Sequence, residues 1–223
     1  MAKQYPTLDH ERRLLCEGHS YIAGIDEAGR GAWAGPVVAA AIILPLDDPD
    51  LEQKLRGVCD SKLCTPRQRE ILRDRICEIA LAWAAVAIPA STIDRVGIVP
   101  STRLAMCQCV SQLDPRPDAL LIDALTLPSI QLTQRPLVKG DRKSLVIAAA
   151  SILAKTSRDH EMIALDPDFP GYGFARHKGY GTPQHQQALC TQGPTEIHRR
   201  SFAPVAAVER GLWGREPMAG REP

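Results

Sequence analysis

The amino-acid sequence predicts an α/β fold: a mixed sheet covered by helices, with a helical extension towards the C-terminal end. Three observations predict it. Short, dense apolar runs such as YIAGID and ALLIDAL have the length and composition of buried strands. Between the later runs lie longer stretches with helical spacing, so strands alternate with helices. The first two runs are joined by only a short glycine-punctuated connection, which makes them antiparallel neighbours.

Taken in order, residues 8–17 read as a short, partly polar helix. Tyr21–Asp26 reads as a buried strand. Gly29, Gly31 and Gly35 punctuate the connection, and Pro36 opens a second strand, Val37–Leu44. A helix follows with Thr65 as its N-cap and Pro66 at its first position. Its Leu72, Ile76 and Ile79 share one face. Residues 82–89 form a third strand, ended by Pro89. Helices over Ser91–Val96 and Ser101–Leu113 lead to the DPRPD turn. ALLIDAL (119–125) reads as a central strand and RPLVKGD (135–141) as another running into a turn. The longest helix spans residues 142–165, and its Ala/Ser-rich middle admits a close neighbour. A Gly/Pro-rich loop then carries FARHKGYGTPQH, and a last helix runs from Thr182 to a glycine stop at Gly193. The expected divisions are an N-terminal segment (1–19), a main domain (20–180), a helical extension (181–212) and a disordered tail (213–223).

Composition narrows the function. A hydrophobic fraction of 44% supports a real core, but 4% aromatic residues leave its packing to Ala, Val, Ile and Leu. A net charge of +1 argues against a protein that coats polyanions, so nucleic-acid binding requires a local basic face. The seven cysteines are scattered without a CxxC pair and are expected to be reduced thiols. The first twenty residues lack a signal peptide's apolar core, and no run approaches the roughly 20 residues that span a bilayer. The chain is expected to be soluble and cytoplasmic, with no membrane partner.

The chemistry starts at the acids. Asp26 ends the first strand, with Glu27 beside it, and Asp123 ends ALLID. Ligands gather at the carboxyl ends of strands in open α/β sheets. Successive strand residues face opposite ways, so Glu27 joins Asp26 only if the chain bends, as the following Gly-Arg-Gly permits. Crowded carboxylates raise one another's pKa, and a divalent cation relieves them. Oxygen ligands suit Mg²⁺ or Mn²⁺, and two such ions about 3.5–4 Å apart form a clamp for phosphodiester hydrolysis. Each piece alone has an ordinary role: a solvated strand-end acid, a surface charge, a plain turn. Asp141 and Asp159 compete for a fourth place. Asp141 could simply cap the long helix, and Asp159 could pair with Arg158 or Lys155. Geometry favours Asp141, which lies nearer the sheet edge.

Bases cluster in the second half, where Arg176, His177, Lys178, Tyr180 and His185 share the Gly-rich loop. Arginine and lysine hold phosphates, and a tyrosine ring stacks on a sugar or base. The two histidines lack the neighbouring cysteines that would make a zinc site.

The motifs GIDEAGRGAWAGPVVAAAIIL, CDSKLCTPRQRE, LLIDAL, KGDRKSLVIAAASILAKTSRD, YGFARHKGYGTPQH and HRRSF occur in this order. Together they resemble bacterial ribonuclease HII, the type 2 ribonuclease H family, over residues 20–205. The resemblance implies a ribonuclease H-like, five-stranded mixed sheet with flanking helices and a C-terminal helical extension. It implies a monomeric enzyme that cuts the RNA strand of RNA–DNA hybrids. It also implies incision at single ribonucleotides in duplex DNA, leaving 3′-hydroxyl and 5′-phosphate ends with Mn²⁺ or Mg²⁺ as cofactor. The family's four metal-binding acids fall on Asp26, Glu27, Asp123 and Asp141. Its ribose-sensing turn falls on Gly29, Arg30 and Gly31, and its sugar-packing tyrosine on Tyr180. Lys62, Ser151 and Lys155 fall on motif positions with supporting roles, phosphate contact or helix packing, and Lys178 is expected to join them in binding substrate. Leu63 departs from the second lysine often found after Lys62, and Trp33 reads as packing. Competing expectations are another nuclease of the same fold, a nucleic-acid-binding module without catalysis, and a small-molecule phosphohydrolase. The first gives no reason for the ribose-reading turn, the second predicts a lost acid, and the third leaves the long basic loop unused.

Overall fold

The computed structural model describes residues 5–212. The tail expected to be disordered, 213–223, lies outside them. Five strands form one sheet: β1 (Ile22–Ala28), β2 (Val37–Ile43), β3 (Ala82–Ile88), β4 (Ala119–Asp123) and β5 (Thr133–Leu137), in the order β3-β2-β1-β4-β5. β2 runs antiparallel to both β1 and β3, while β4 runs parallel to β1 and β5, so the sheet is mixed as expected.

Helices cover both faces. α1 (Asp9–Cys16), α2 (Leu51–Lys54), α3 (Pro66–Ile79) and α6 (Leu145–Leu165) enclose one core; α4 (Ala90–Val96) and α5 (Ile98–Gln112) enclose the other. All seven residues of β2 are buried, because a strand covered on both sides has no solvent face on which to alternate. α3 begins with the Thr65 cap, strengthened by the reciprocal bond from Gln68. α6 lies close on β1, where a Cβ at Gly24 would stand 2.3 Å from the Val146 backbone carbon. Only glycine at position 24 admits that approach. A smaller cluster beyond the sheet packs Phe174 and Tyr172 beside α7 (Phe174–His177) and α8 (Pro183–Gln192), and α9 (Ala203–Glu209) follows. No disulfide links any described cysteine. Among the described residues no helix is long and apolar enough to cross a membrane.

Three differences from the sequence reading bear on the acids. β1 continues through Asp26 and Glu27 to Ala28, because these residues pair with Ala40 to Val38 of β2. β5 starts earlier, at Thr133, and stops at Leu137, and the turn that follows holds Asp141 in a 3₁₀ segment (Gly140–Arg142). The N-cap of α6 is Ser144, whose hydroxyl accepts the Ile147 amide, and Asp141 is freed from that duty.

Candidate functional site

A cavity of about 420 Å³ opens at the carboxyl ends of β1 and β4. Its lining includes Asp26, Glu27, Asp123 and Asp141, together with Gly29, Arg30, Gly31, Lys62, Ser151, Lys155 and Tyr180. Glu27 follows Asp26 in the strand, yet both line this cavity, because β1 ends one residue later and the chain turns through Gly29 at φ +88°.

Three of the four acids are held by local partners. Asp26 accepts the Glu27 amide at 2.7 Å, and Asp123 accepts the Gly140 amide at 2.7 Å. Oε1 of Glu27 meets Arg30 Nη1 at 3.1 Å, while Oε2 is buried with no partner. Burial, then the carboxylates of Glu27 and Asp123, push Asp26 well above the usual carboxylate range. Asp141 is pushed up to about 6 by burial, then by Asp60 and Asp123. Glu27 is raised by burial in spite of Arg30. Among the described residues no three His, Cys, Asp or Glu side chains converge closely enough to hold an ion as they stand. The chemistry of the set nonetheless fits hard divalent cations: all its donors are oxygens, they repel one another, and one buried oxygen is orphaned. Release of Glu27 from Arg30 would free a second oxygen.

Asp159, the competitor of Asp141, does not line the cavity. Lys155 holds it at 2.6 Å and Arg69 lies 3.6 Å away. Arg158, one of its expected partners, is instead wholly buried and donates to the Pro36 and Ala34 carbonyls. Lys178, an expected substrate contact, also lies outside the cavity lining, and its ammonium donates to the Ala175 carbonyl. Lys155 Nζ and Arg158 Cζ stand 5.5 Å and 5.1 Å from the centre of the Tyr180 ring. Ser151 Oγ lies 3.0 Å from Ser61 Oγ, and its single hydroxyl hydrogen, when turned to Asp26, works to hold that carboxyl charged.

The loop histidines are core residues rather than phosphate ligands. His177 and His185 are buried and stacked at 4.5 Å. The Thr195 amide donates to His198 Nδ1, which leaves Nε2–H of His198 to donate to His185 Nε2 at 3.0 Å. His185 must then donate through Nδ1 to the Tyr180 carbonyl at 3.0 Å. Trp33 packs as expected, 5.4 Å from the His185 ring and against Gly181.

Sequence reasoning missed Asp60, a fifth carboxylate beside Asp141. Burial works against its charge, but the Lys62 amide (3.0 Å) and the Arg142 guanidinium (3.0 Å) hold it below the usual range. Its only signal was its place before Ser-Lys, which is also how a turn cap looks. Arg158 was detectable as a charge sharing a helical face with Ser151, Lys155 and Met162. Glu11 gave no signal: it is buried and caps α6 by accepting from Ser144 Oγ (2.7 Å) and the Val146 amide (3.0 Å).

Residues 23–205 match the model of the family described as Ribonuclease HII. The Ribonuclease HII of Roseiflexus castenholzii is 50% identical over 221 residues, covering 98% of this chain and 97% of its own. That of Chloroflexus aurantiacus is 52% identical over 203 residues, covering 90% and 94%. Among solved structures, ribonuclease H2 from Pyrococcus horikoshii superposes with a TM-score of 0.74 at 25% identity, covering 86% of this chain and 99% of that one.

Proposed function

The chain belongs to the ribonuclease HII family and is a type 2 ribonuclease H, acting on RNA–DNA hybrids; from that premise we propose that it also incises duplex DNA 5′ of single embedded ribonucleotides. The products would carry 3′-hydroxyl and 5′-phosphate ends. The observation that carries this reading is that one cavity joins four carboxylates to a Gly-Arg-Gly turn and a tyrosine ring.

Asp26, Glu27, Asp123 and Asp141 would hold two divalent cations, Mg²⁺ or Mn²⁺. Such ions, when bound, supply an activated water and neutralise charge on the leaving oxygen. Arg30, once released by Glu27, is free to meet a phosphate. Lys62 and Lys155 offer point charges to the backbone on either side of the scissile bond. Around Gly31 nothing lies within 4 Å of where a Cβ would be, so the backbone can approach a sugar closely. The 2′-hydroxyl distinguishes RNA from DNA there. Tyr180 presents its ring to the neighbouring sugar, and Ser151 keeps Asp26 oriented. Lys178 would reach a phosphate only by leaving the Ala175 carbonyl. The proposal extends to a monomer that works in the cytoplasm, where it would meet both substrates.

The test is a labelled DNA duplex carrying one ribonucleotide, incubated with Mg²⁺, with Mn²⁺ and with chelator. An all-DNA duplex and the Asp26→Asn protein serve as controls. A metal-dependent nick immediately 5′ of the ribonucleotide, absent from both controls, is the expected result. Tight binding without a nick would leave a non-catalytic module, and a nick in the all-DNA control would remove the sugar-reading role of residues 29–31 and Tyr180.

A further inference from the structure

Beneath the loop that follows β1 lie two arginines, Arg158 of α6 and Arg199 of the segment before α9, both fully buried. Neither is paired with a carboxylate among the described residues. Their guanidinium forks instead donate to four carbonyls of that one loop. Arg158 reaches Pro36 through Nε at 2.8 Å and Ala34 through Nη2 at 3.1 Å. Arg199 reaches Gly35 through Nε at 3.0 Å and Arg30 through Nη1 at 2.9 Å. Each also keeps one buried nitrogen with no partner, Nη1 of Arg158 and Nη2 of Arg199. Two uncompensated cations are an unfavourable way to fill a core, and apolar side chains would pack the space better. Their use here calls for a task beyond packing.

Arg158 has two further contacts that define the task. A Cβ added at Gly29 would stand 2.0 Å from its Nε, so the turn rests directly on the guanidinium. The Tyr180 ring lies 5.1 Å from the same group. One planar cation therefore touches both arms assigned to the sugar, while lining none of the cavity itself.

We propose that Arg158 and Arg199 are positioning residues for ribose discrimination. They set the height of residues 29–31 relative to the Tyr180 ring, so that the space for a 2′-hydroxyl is fixed before substrate arrives. This rests on the sugar-reading role given above to Gly29–Gly31 and Tyr180. A rigid fork can hold two carbonyls and a ring at once, whereas a lysine ammonium offers a point charge on a flexible stem.

The test measures binding with chelator present, so that no cleavage intervenes. Dissociation constants are compared for a duplex with one ribonucleotide and for the all-DNA duplex of the same sequence. Wild type, Arg158→Lys, Arg199→Lys and Tyr180→Ala are measured, with Met106→Ala in the opposite core as a control for lost stability. The expected result is a preference for the ribonucleotide that falls about tenfold in Arg158→Lys. Arg199→Lys should lose less, all-DNA binding should stay unchanged, and Met106→Ala should keep the preference. In a Tyr180→Ala background, Arg158→Lys should lower the preference less than it does alone. A wild-type preference that survives in whichever lysine variants fold overturns the inference, as does equal weakening on both duplexes. A wild type with no preference overturns the sugar-reading role, and the inference with it.

Discussion

The two sides of the cavity are built on opposite principles. The acid side takes its residues from strand ends and one tight turn, leaves a carboxylate oxygen unpartnered, and crowds like charges whose pKa values rise in consequence. The side proposed to face the sugar is held by buried arginines, backbone bonds and a histidine chain with fixed tautomers. One side is left electrostatically incomplete, and the other is fixed in advance. The difference teaches that a site can be rigid where it must discriminate and unsatisfied where it must take up charge.

The largest effect is expected on the acid side. Asp26→Asn or Asp123→Asn should lower cleavage of hybrids by about three orders of magnitude, while hybrid binding persists. Without divalent ions, Asp26→Asn should also melt no lower than wild type, since it removes one of the repelling charges. Added Mg²⁺ should raise the melting temperature of wild type more than that of the variant. A large fall in melting temperature in chelator would show that the carboxylate is structural, and the contrast would fail.

On the other side, Tyr180→Ala should slow incision at a single ribonucleotide by about ten- to a hundredfold, in line with a lost stacking contact. Its melting temperature should hardly move. The two glycines of the turn sharpen the comparison further. Gly29→Ala meets both a positive φ and the Arg158 side chain, and should destabilise the protein by about 1–3 kcal/mol in urea unfolding. Gly31→Ala meets neither and should stay within about 0.5 kcal/mol of wild type, yet cleave hybrids more slowly.

The smallest effect is a pair of opposed pH slopes. His185 and His198 are pulled down to about 4 and about 3 by burial, so each stays neutral when folded. Unfolded histidine binds its proton from about pH 6.5 downwards, so their contribution is complete above that and is lost as pH falls through the folded values. Asp141 behaves oppositely. Its folded value of about 6 exceeds the unfolded 3.8, so its contribution is complete below 3.8 and is lost as pH rises to about 6. Urea midpoints in chelator should therefore respond differently to substitution: Asp141→Asn should remove a loss between 3.8 and about 6, and His198→Asn should flatten the fall below 6.5.

Much of the frame was legible because apolar runs and caps carry local signals. Val37–Leu44, the Thr65 cap and the Thr182–Gly193 helix all stood close to where they were read. Asp26, Glu27 and Asp123 were legible because acids at the end of an apolar run stand out. The buried charges were not. Arg158, Arg199 and Glu11 bond mainly to backbone or to one hydroxyl, partners that leave no mark in sequence, and only the helical face of Arg158 hinted at its burial. A rule that charges lie outside therefore misplaced them. His177 and His185 looked basic in a polar loop, but Phe174 and Tyr172 enclose them in a small core that only the fold assembles.

The loop of residues 29–36 also ties the order of synthesis to competence. Its outer strap comes from near the far end of the chain: Gly35 donates to the Ile197 carbonyl, and the Arg199 amide donates to that of Trp33. A polypeptide halted just before residue 197 already contains every acid, the tyrosine and the lysines, yet the loop's carbonyls have no Arg199 to receive. On the proposed reading, truncation before residue 197 would leave every cutting group in the chain and remove part of the support of the sugar-reading turn.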